Sequence, residues 1–431
     1  MFPTSTNMAD TKTTSYKVVL PFYAYGACSF LAATILLLFS LSTVNTHYFT
    51  PHNLAIVHSM ALGWGTMMIL GASHQLVPVM IEGKLYSNTL AYLSFAFAAV
   101  GIPVLVYGFY TFNMGHFTQC AGLFIVFSII CYLINLAASM LKSKNENVHA
   151  YFVFTAVLWL LITVILGVLM LYNFSYNVLP KTSLDYLPLH AHIGIVGWFL
   201  LLVIGVGSRL IPMFLISKYS NNQQLWWIYG LINGGLLFFI AAFLLALPNM
   251  CLLIPLIAIA ISIVLFGNFC YKSYQARIRK KVDEQMKISL LSVLIMCLPI
   301  LFLLIIIIGL VATNSGNMNF LISYGFVIFF GWITAIILGM TFKTLPFIIW
   351  NRTYHRLAGK GKTPNPKDLF SESIFKWMAI FYLIGFVLFI VGIVFSVVLL
   401  VQIASFLLVI CSVLYNCNIV KLFMHKSKII L

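Results

Sequence analysis

Three imidazoles in this chain stand where a side chain of their kind is hardest to accommodate. His58, His190 and His192 fall in otherwise apolar stretches, the last two within "LHAHIGIVGWFLLLVIGVGSRLIPMF", residues 189–214. A neutral imidazole in hydrocarbon needs a partner, and its unprotonated nitrogen is a good ligand for iron or copper. On a helix, two residues of separation amount to about 200°, so His190 and His192 face different directions. They do not readily serve one metal; they can serve two neighbouring sites, or supply one ligand and one hydrogen-bonding group. His74 lies about 24 Å further along the same helix as His58 at the standard rise. The other histidines fall in or beside loops: His47, His52 and His116 toward one side, and His149, His355 and His425 toward the other.

These residues are carried by a chain that is 62% hydrophobic and 7% charged. A soluble domain needs more polar surface, so the composition specifies an all-α polytopic membrane protein. Stretches of about 20 apolar residues span a bilayer. Twelve are found, at 18–43, 53–80, 87–111, 118–141, 150–173, 188–216, 224–247, 250–271, 287–312, 321–349, 373–396 and 399–422, the last two split near Val397. With the N-terminus placed in the cytoplasm, Lys84, Lys142, Lys144, Lys218, "YKSYQARIRKKVDEQMK", "NRTYHRLAGKGKTPNPKD", Lys421, Lys426 and Lys428 fall inside, and only Lys181 falls in an outer loop. The positive-inside rule therefore places both termini in the cytoplasm. The net charge of +16 is a matter of topology, and nucleic acid is not an expected partner. Eight scattered cysteines without a C-x-x-C spacing read as small core residues, not as a disulfide or zinc framework.

A repeat orders the spans. "GWGTMMILGASHQLVP" begins at Gly63, "GWFLLLVIGVGSRLIP" at Gly197 and "GWITAIILGMTFKTLP" at Gly331, each 134 residues after the last. A second glycine recurs at Gly71, Gly205 and Gly339, and a proline at Pro78, Pro212 and Pro346. Such a period predicts one membrane domain, residues 1–431, of three pseudosymmetric four-helix units covering 18–141, 150–271 and 287–422. The shift carries His58 onto His192 and then onto Phe326. The polar residues Gln75, Arg209 and Lys343 lie at the inner ends of their spans, where the basic ones are expected to snorkel to lipid phosphates.

At this point the chain resembles subunit I of the haem-copper oxidase superfamily. The likeness covers the whole chain in topology and concentrates in "HSMALGWGTMMILGASHQLVPVMI", which is similar to the family's second helix. The resemblance implies that His58 is a ligand of a low-spin haem, with redox metals toward the outer side. The H-x-H-x-G-x-x-G-W run of span 6 resembles a divergent, ligand-depleted branch, and is also similar to the haem- and copper-containing NnrS-type membrane proteins linked to nitric oxide responses. Two departures stand out. Span 7 has no histidine, and span 10 has Tyr324 and Phe326 where the repeat places His190 and His192. A standard three-histidine copper site is therefore not expected, although copper remains a candidate cofactor beside haem.

The expected function is haem binding in electron transfer, or in binding or reduction of oxygen or nitric oxide. His58 would supply one axial ligand; His192 or His190 would supply the other, or the ligand of a second site. The eight acids, Asp10, Glu82, Glu146, Asp185, Asp283, Glu284, Asp368 and Glu372, all read as loop or tail residues, which argues against a proton-pumping terminal oxidase. Expected partners are the lipid bilayer of a bacterial-type cytoplasmic membrane, a quinol or cytochrome electron donor and other membrane subunits. The competing readings are a transporter, or a metal- or haem-handling accessory protein, on the same scaffold.

Overall fold

Helix is the answer this sequence gives to hydrocarbon, because a helix satisfies every backbone group within its own segment. The computed structural model describes residues 14–44, 46–81, 83–142, 147–313, 316–355, 357 and 363–427. Asp10, Glu82, Glu146, Lys144 and Lys428 lie outside the described residues. Among the described residues, twelve helices are long and apolar enough to cross a membrane: α1 (Tyr16–Phe39), α2 (Pro51–Met80), α3 (Asn88–Tyr110), α4 (His116–Leu141), α5 (Val148–Tyr176), α6 (Ser183–Leu215), α7 (Asn222–Leu244), α8 (Asn249–Gln275), α9 (Glu284–Thr313), α10 (Met318–Tyr354), α11 (Glu372–Val394) and α12 (Val398–Phe423). Nine of their starts carry a polar side-chain cap, those of α4, α8 and α12 being the exceptions. The Thr50 side chain accepts from the Asn53 amide before α2, Asn147 does so before α5, and Thr182 and Asp185 form a reciprocal capping box on α6. Between α11 and α12 the chain reverses through Ser396, which has a left-handed φ of 58°.

Burial decides which helices are central. In α2, α6 and α10, 72%, 67% and 83% of the most apolar stretch is buried, against 28–44% in the other nine. The other nine surround these three, with α1 packed on α2 and α12, α5 on α6, and α9 on α10. Two indole clasps tie the centre together. Trp64 Nε1 donates to Thr334 Oγ1 (3.1 Å), joining α2 to α10, and Trp198 Nε1 donates to Thr66 Oγ1 (3.0 Å), joining α6 to α2. In the same cyclic order Trp332 of α10 would meet Leu200 of α6, which has no acceptor. Thr334 is fully buried, so Thr334→Val strands an indole N–H and is expected to cost about 1–2 kcal/mol. A lowered melting temperature of the purified protein, relative to the exposed-site control Thr111→Val, checks this.

Each central helix contains the same distortion. Ser59–Thr66, Ile193–Leu200 and Val327–Ile333 are π-helical, and they begin immediately after His58, His192 and Phe326. Widened turns of this kind are rare and re-aim the side chains around them. In the third, Gly331 leaves helical geometry (φ −90°, ψ −110°), and its carbonyl accepts the Tyr382 hydroxyl at 2.7 Å.

Two expectations about side chains need correction. Lys343 does not reach for lipid. Its ammonium meets Asp283 at 2.5 Å and lies over the Phe214 ring, because the start of α9 packs beside α10. Arg209, by contrast, is exposed. Of the cysteines, Cys270 and Cys411 are core residues, whereas Cys28, Cys120, Cys297 and Cys417 are exposed on the outside of the bundle.

Candidate functional site

The ends of α2, α6 and α10 opposite the Lys343–Asp283 pair line three cavities that share Tyr48 in their walls. Cavity A, of about 270 Å³, lies between α2, α3, α4, α5, α6 and α10 and contains His58 and His190. Cavity B, of about 540 Å³, lies between α6, α7, α8, α9 and α10 and contains His192 and Tyr324. The third, of about 100 Å³, contains Ile56 and Phe326. The three pairs are related by the 134-residue shift: His190 corresponds to Ile56 and Tyr324, and His58 to His192 and Phe326. One arrangement of backbone thus presents two imidazoles, then an imidazole and a phenol, then two hydrocarbon side chains. In the third position Phe326 stacks on Phe389, with ring centres 3.7 Å apart, and fills the space.

In cavity A the two rings come from different helices and are held by backbone. His58 Nδ1 lies 2.8 Å from the Leu54 carbonyl, and His190 Nδ1 lies 3.1 Å from the Thr163 carbonyl of α5. A carbonyl only accepts, so Nδ1 carries the proton in both rings and Nε2 is bare. Among the described residues nothing hydrogen-bonds either Nε2. The ring centres are 6.3 Å apart and the planes 22° from parallel. Two imidazoles that bind one metal from opposite sides, with metal–nitrogen bonds of about 2 Å, have centres roughly 6 Å apart. The 6.3 Å spacing matches that separation. The walls are apolar: Phe109 packs 4.5 Å from the His58 ring, and Leu105, Ile125, Val164 and Phe329 complete an almost wholly hydrocarbon lining. Gly167 sets the depth of His190, because a Cβ there would stand 2.9 Å from His190 Cε1.

His192 is turned away, as its separation from His190 along the helix requires. Its Nδ1 meets the Pro188 carbonyl at 2.7 Å, and its Nε2 lies 3.2 Å from the Tyr324 hydroxyl. His74 is buried near the other end of α2 between Phe22 and Tyr132, with Nδ1 on the Leu70 carbonyl at 2.6 Å. The structure thus brings together His58 and His190, and leaves His192 and His74 elsewhere. Tyr324 is the residue that sequence reasoning treated only as a missing histidine. Its place 134 positions after His190 is the signal that marks it as a site residue. Among the described residues, no group of three histidine, cysteine or acidic side chains converges as a metal cluster would require.

No protein-family model matches the sequence, and no curated protein matches it. Solved structures do match. One is the cryo-EM structure of a haem-copper terminal oxidase dimer, superposed with a TM-score of 0.68 over 96% of this chain and 85% of that one, at 9% sequence identity. At that identity the likeness is one of fold, carried by the path of the helices and not by shared residues. The chain is a twelve-helix membrane protein with the fold of a haem-copper terminal oxidase.

Proposed function

We propose that this chain binds one haem in cavity A, where His58 and His190 would hold it, and serves in electron transfer as a relative of oxidase subunit I. The observation that carries the proposal is the pair of nearly parallel imidazoles with bare Nε2 atoms and centres 6.3 Å apart. A haem held by two imidazoles supplies a one-electron couple with no open position for a gas. The chain's own residues do the rest. The Leu54 and Thr163 carbonyls fix each imidazole tautomer and aim Nε2, the role that outer-shell acceptors play at metal-binding histidines. Phe109 and the aliphatic walls give the site an apolar surrounding, which would tune the potential of a bound group. His192 is not a ligand in this reading, because its Nε2 is engaged by Tyr324.

The proposal includes three four-span units, residues 18–141, 150–271 and 287–422, and a cytoplasmic-membrane location with both termini inside. The experiment is an absorbance spectrum of detergent-purified protein from haem-supplied cells. A Soret band with sharp reduced bands, unshifted by carbon monoxide, is the expected result. Colourless, intact protein refutes the reading; a carbon monoxide shift refutes the two-imidazole ligation.

A further inference from the structure

We propose that cavity B binds a fatty acid in its neutral, protonated form, with the His192–Tyr324 pair holding the carboxyl group and the hydrocarbon walls holding the chain. The shape of the chamber comes first. Its lining residues run from Leu187 to Leu200 on α6, from Met296 to Leu310 on α9 and from Met318 to Trp332 on α10. At the helical rise each of these runs is about 20 Å long. A volume of about 540 Å³ over that length averages about 27 Å² in section, so the chamber is long and narrow. Such a space suits one extended chain.

The lining sets the chemistry of the head. Among the described residues that line the chamber there is no lysine, arginine, aspartate or glutamate. An ionised head would find no counter-charge in such a wall, so the ligand must enter neutral. His192 Nδ1–H donates to the Pro188 carbonyl at 2.7 Å, so Nε2 is an acceptor and the Tyr324 hydroxyl, 3.2 Å away, is its donor. At 3.2 Å that bond is long, and it is easily exchanged for two better ones. The pair offers one acceptor and one donor side by side. A protonated carboxyl offers the complement on its two oxygens: its hydroxyl donates to Nε2 while its carbonyl accepts from Tyr324. Only the Tyr324 proton has to turn.

The same spacing discriminates against a simple alcohol. A single oxygen about 2.8 Å from both atoms would see them about 70° apart, too acute for donating and accepting at once. The two oxygens of a carboxyl instead meet the two atoms along nearly parallel lines. The pair stands part-way along the chamber, His192 being eight residues before Leu200. That leaves about 12 Å toward Leu200 and Trp332, which suits an alkyl chain of medium length. Binding of this kind requires nothing of cavity A, so it is indifferent to whether haem occupies that site.

The probe is decanoic acid labelled with carbon-13 at the carboxyl, added to the full-length protein in a non-ionic detergent and followed by carbon NMR. One saturable equivalent is expected, in the wild type and equally in His58→Ala. Its resonance should keep the position of the protonated acid as the pH is raised, while the signal of micelle-bound acid titrates. Tyr324→Phe keeps the shape and removes one hydrogen bond; it should weaken binding about fivefold to tenfold, as should His192→Leu. Methyl decanoate, which has no proton to donate, should displace the labelled acid at least about tenfold less well, and decan-1-ol about fivefold less well. Leu303→Trp, which fills the chamber, should abolish saturation. Equal affinity in the wild type and Tyr324→Phe overturns the proposal. So does equal displacement by the acid and its methyl ester, a bound signal that titrates with the micellar one, or uptake that never saturates.

Discussion

His58→Ala and His190→Ala will each strip the two-imidazole spectrum from the purified protein, and His192→Ala and His74→Ala will not. The first two substitutions remove a ring that lines cavity A, leaving one imidazole where the geometry supplies two. Haem content should fall about tenfold or more, at least matching the losses seen when outer-shell partners of metal ligands are removed. Whatever haem remains should be five-coordinate and shift with carbon monoxide. His192 is spoken for by Tyr324, and His74 is packed against Phe22 and Tyr132 toward the opposite end of α2. The ligand assignment is wrong if His192→Ala, in place of His190→Ala, removes the chromophore. Gly167→Leu is a subtler version of the same test, because it moves the His190 ring without deleting it.

The largest loss of folding will come from a methyl group. Gly71, Gly205 and Gly339 each let a neighbouring helix press onto a central one. A Cβ at Gly71 would stand 2.6 Å from Phe22 Cβ, and one at Gly205 would stand 2.3 Å from Phe152 Cβ. At Gly339 the obstruction is backbone as well: 2.2 Å to Ser289 Oγ, 2.7 Å to the Gln285 carbonyl and 2.9 Å to the Ser289 amide. A side chain can turn aside, but helical backbone cannot, so Gly339→Ala must push α9 away from α10. That should cost about 3 kcal/mol, the upper end of ordinary overpacking. The control is Gly234→Ala in α7, where nothing lies within 4 Å of the added carbon. There the gain in helix propensity, about 0.5–1 kcal/mol, should raise stability. Melting temperature and monodisperse yield in detergent read both. Equal behaviour of the two variants would show that the close approach at Gly339 does not matter.

The crossings were legible because hydrocarbon imposes a length, and a run of about 20 apolar residues is hard to mistake. The Gly-Trp repeat likewise marked α2, α6 and α10 before any coordinates. What the sequence left open was the partner of His58. A separation of 200° says that His190 and His192 diverge, but not which of them looks toward α2. That depends on how α5 packs against α6, with Thr163 and Gly167 seating the His190 ring. The Lys343–Asp283 pair was hidden for a similar reason. Asp283 reads as a loop acid and Lys343 as a helix-end base, and only the packing of α9 on α10 joins them. The π-helical turns left no readable trace either, since small residues and tryptophan are equally at home in ordinary helix.

Those widened turns have one more consequence. Each behaves like a helix into which a residue too many has been fitted, so the segment before it is out of phase with the segment after it. Removing one residue between Ser59 and Thr66, Ala61 for instance, would restore regular winding. It would also swing the stretch Pro51–His58 by about 100° about its axis. His58 would then leave cavity A with its sequence neighbours intact. The orientation of that imidazole is stored as a count of residues in a single helical turn.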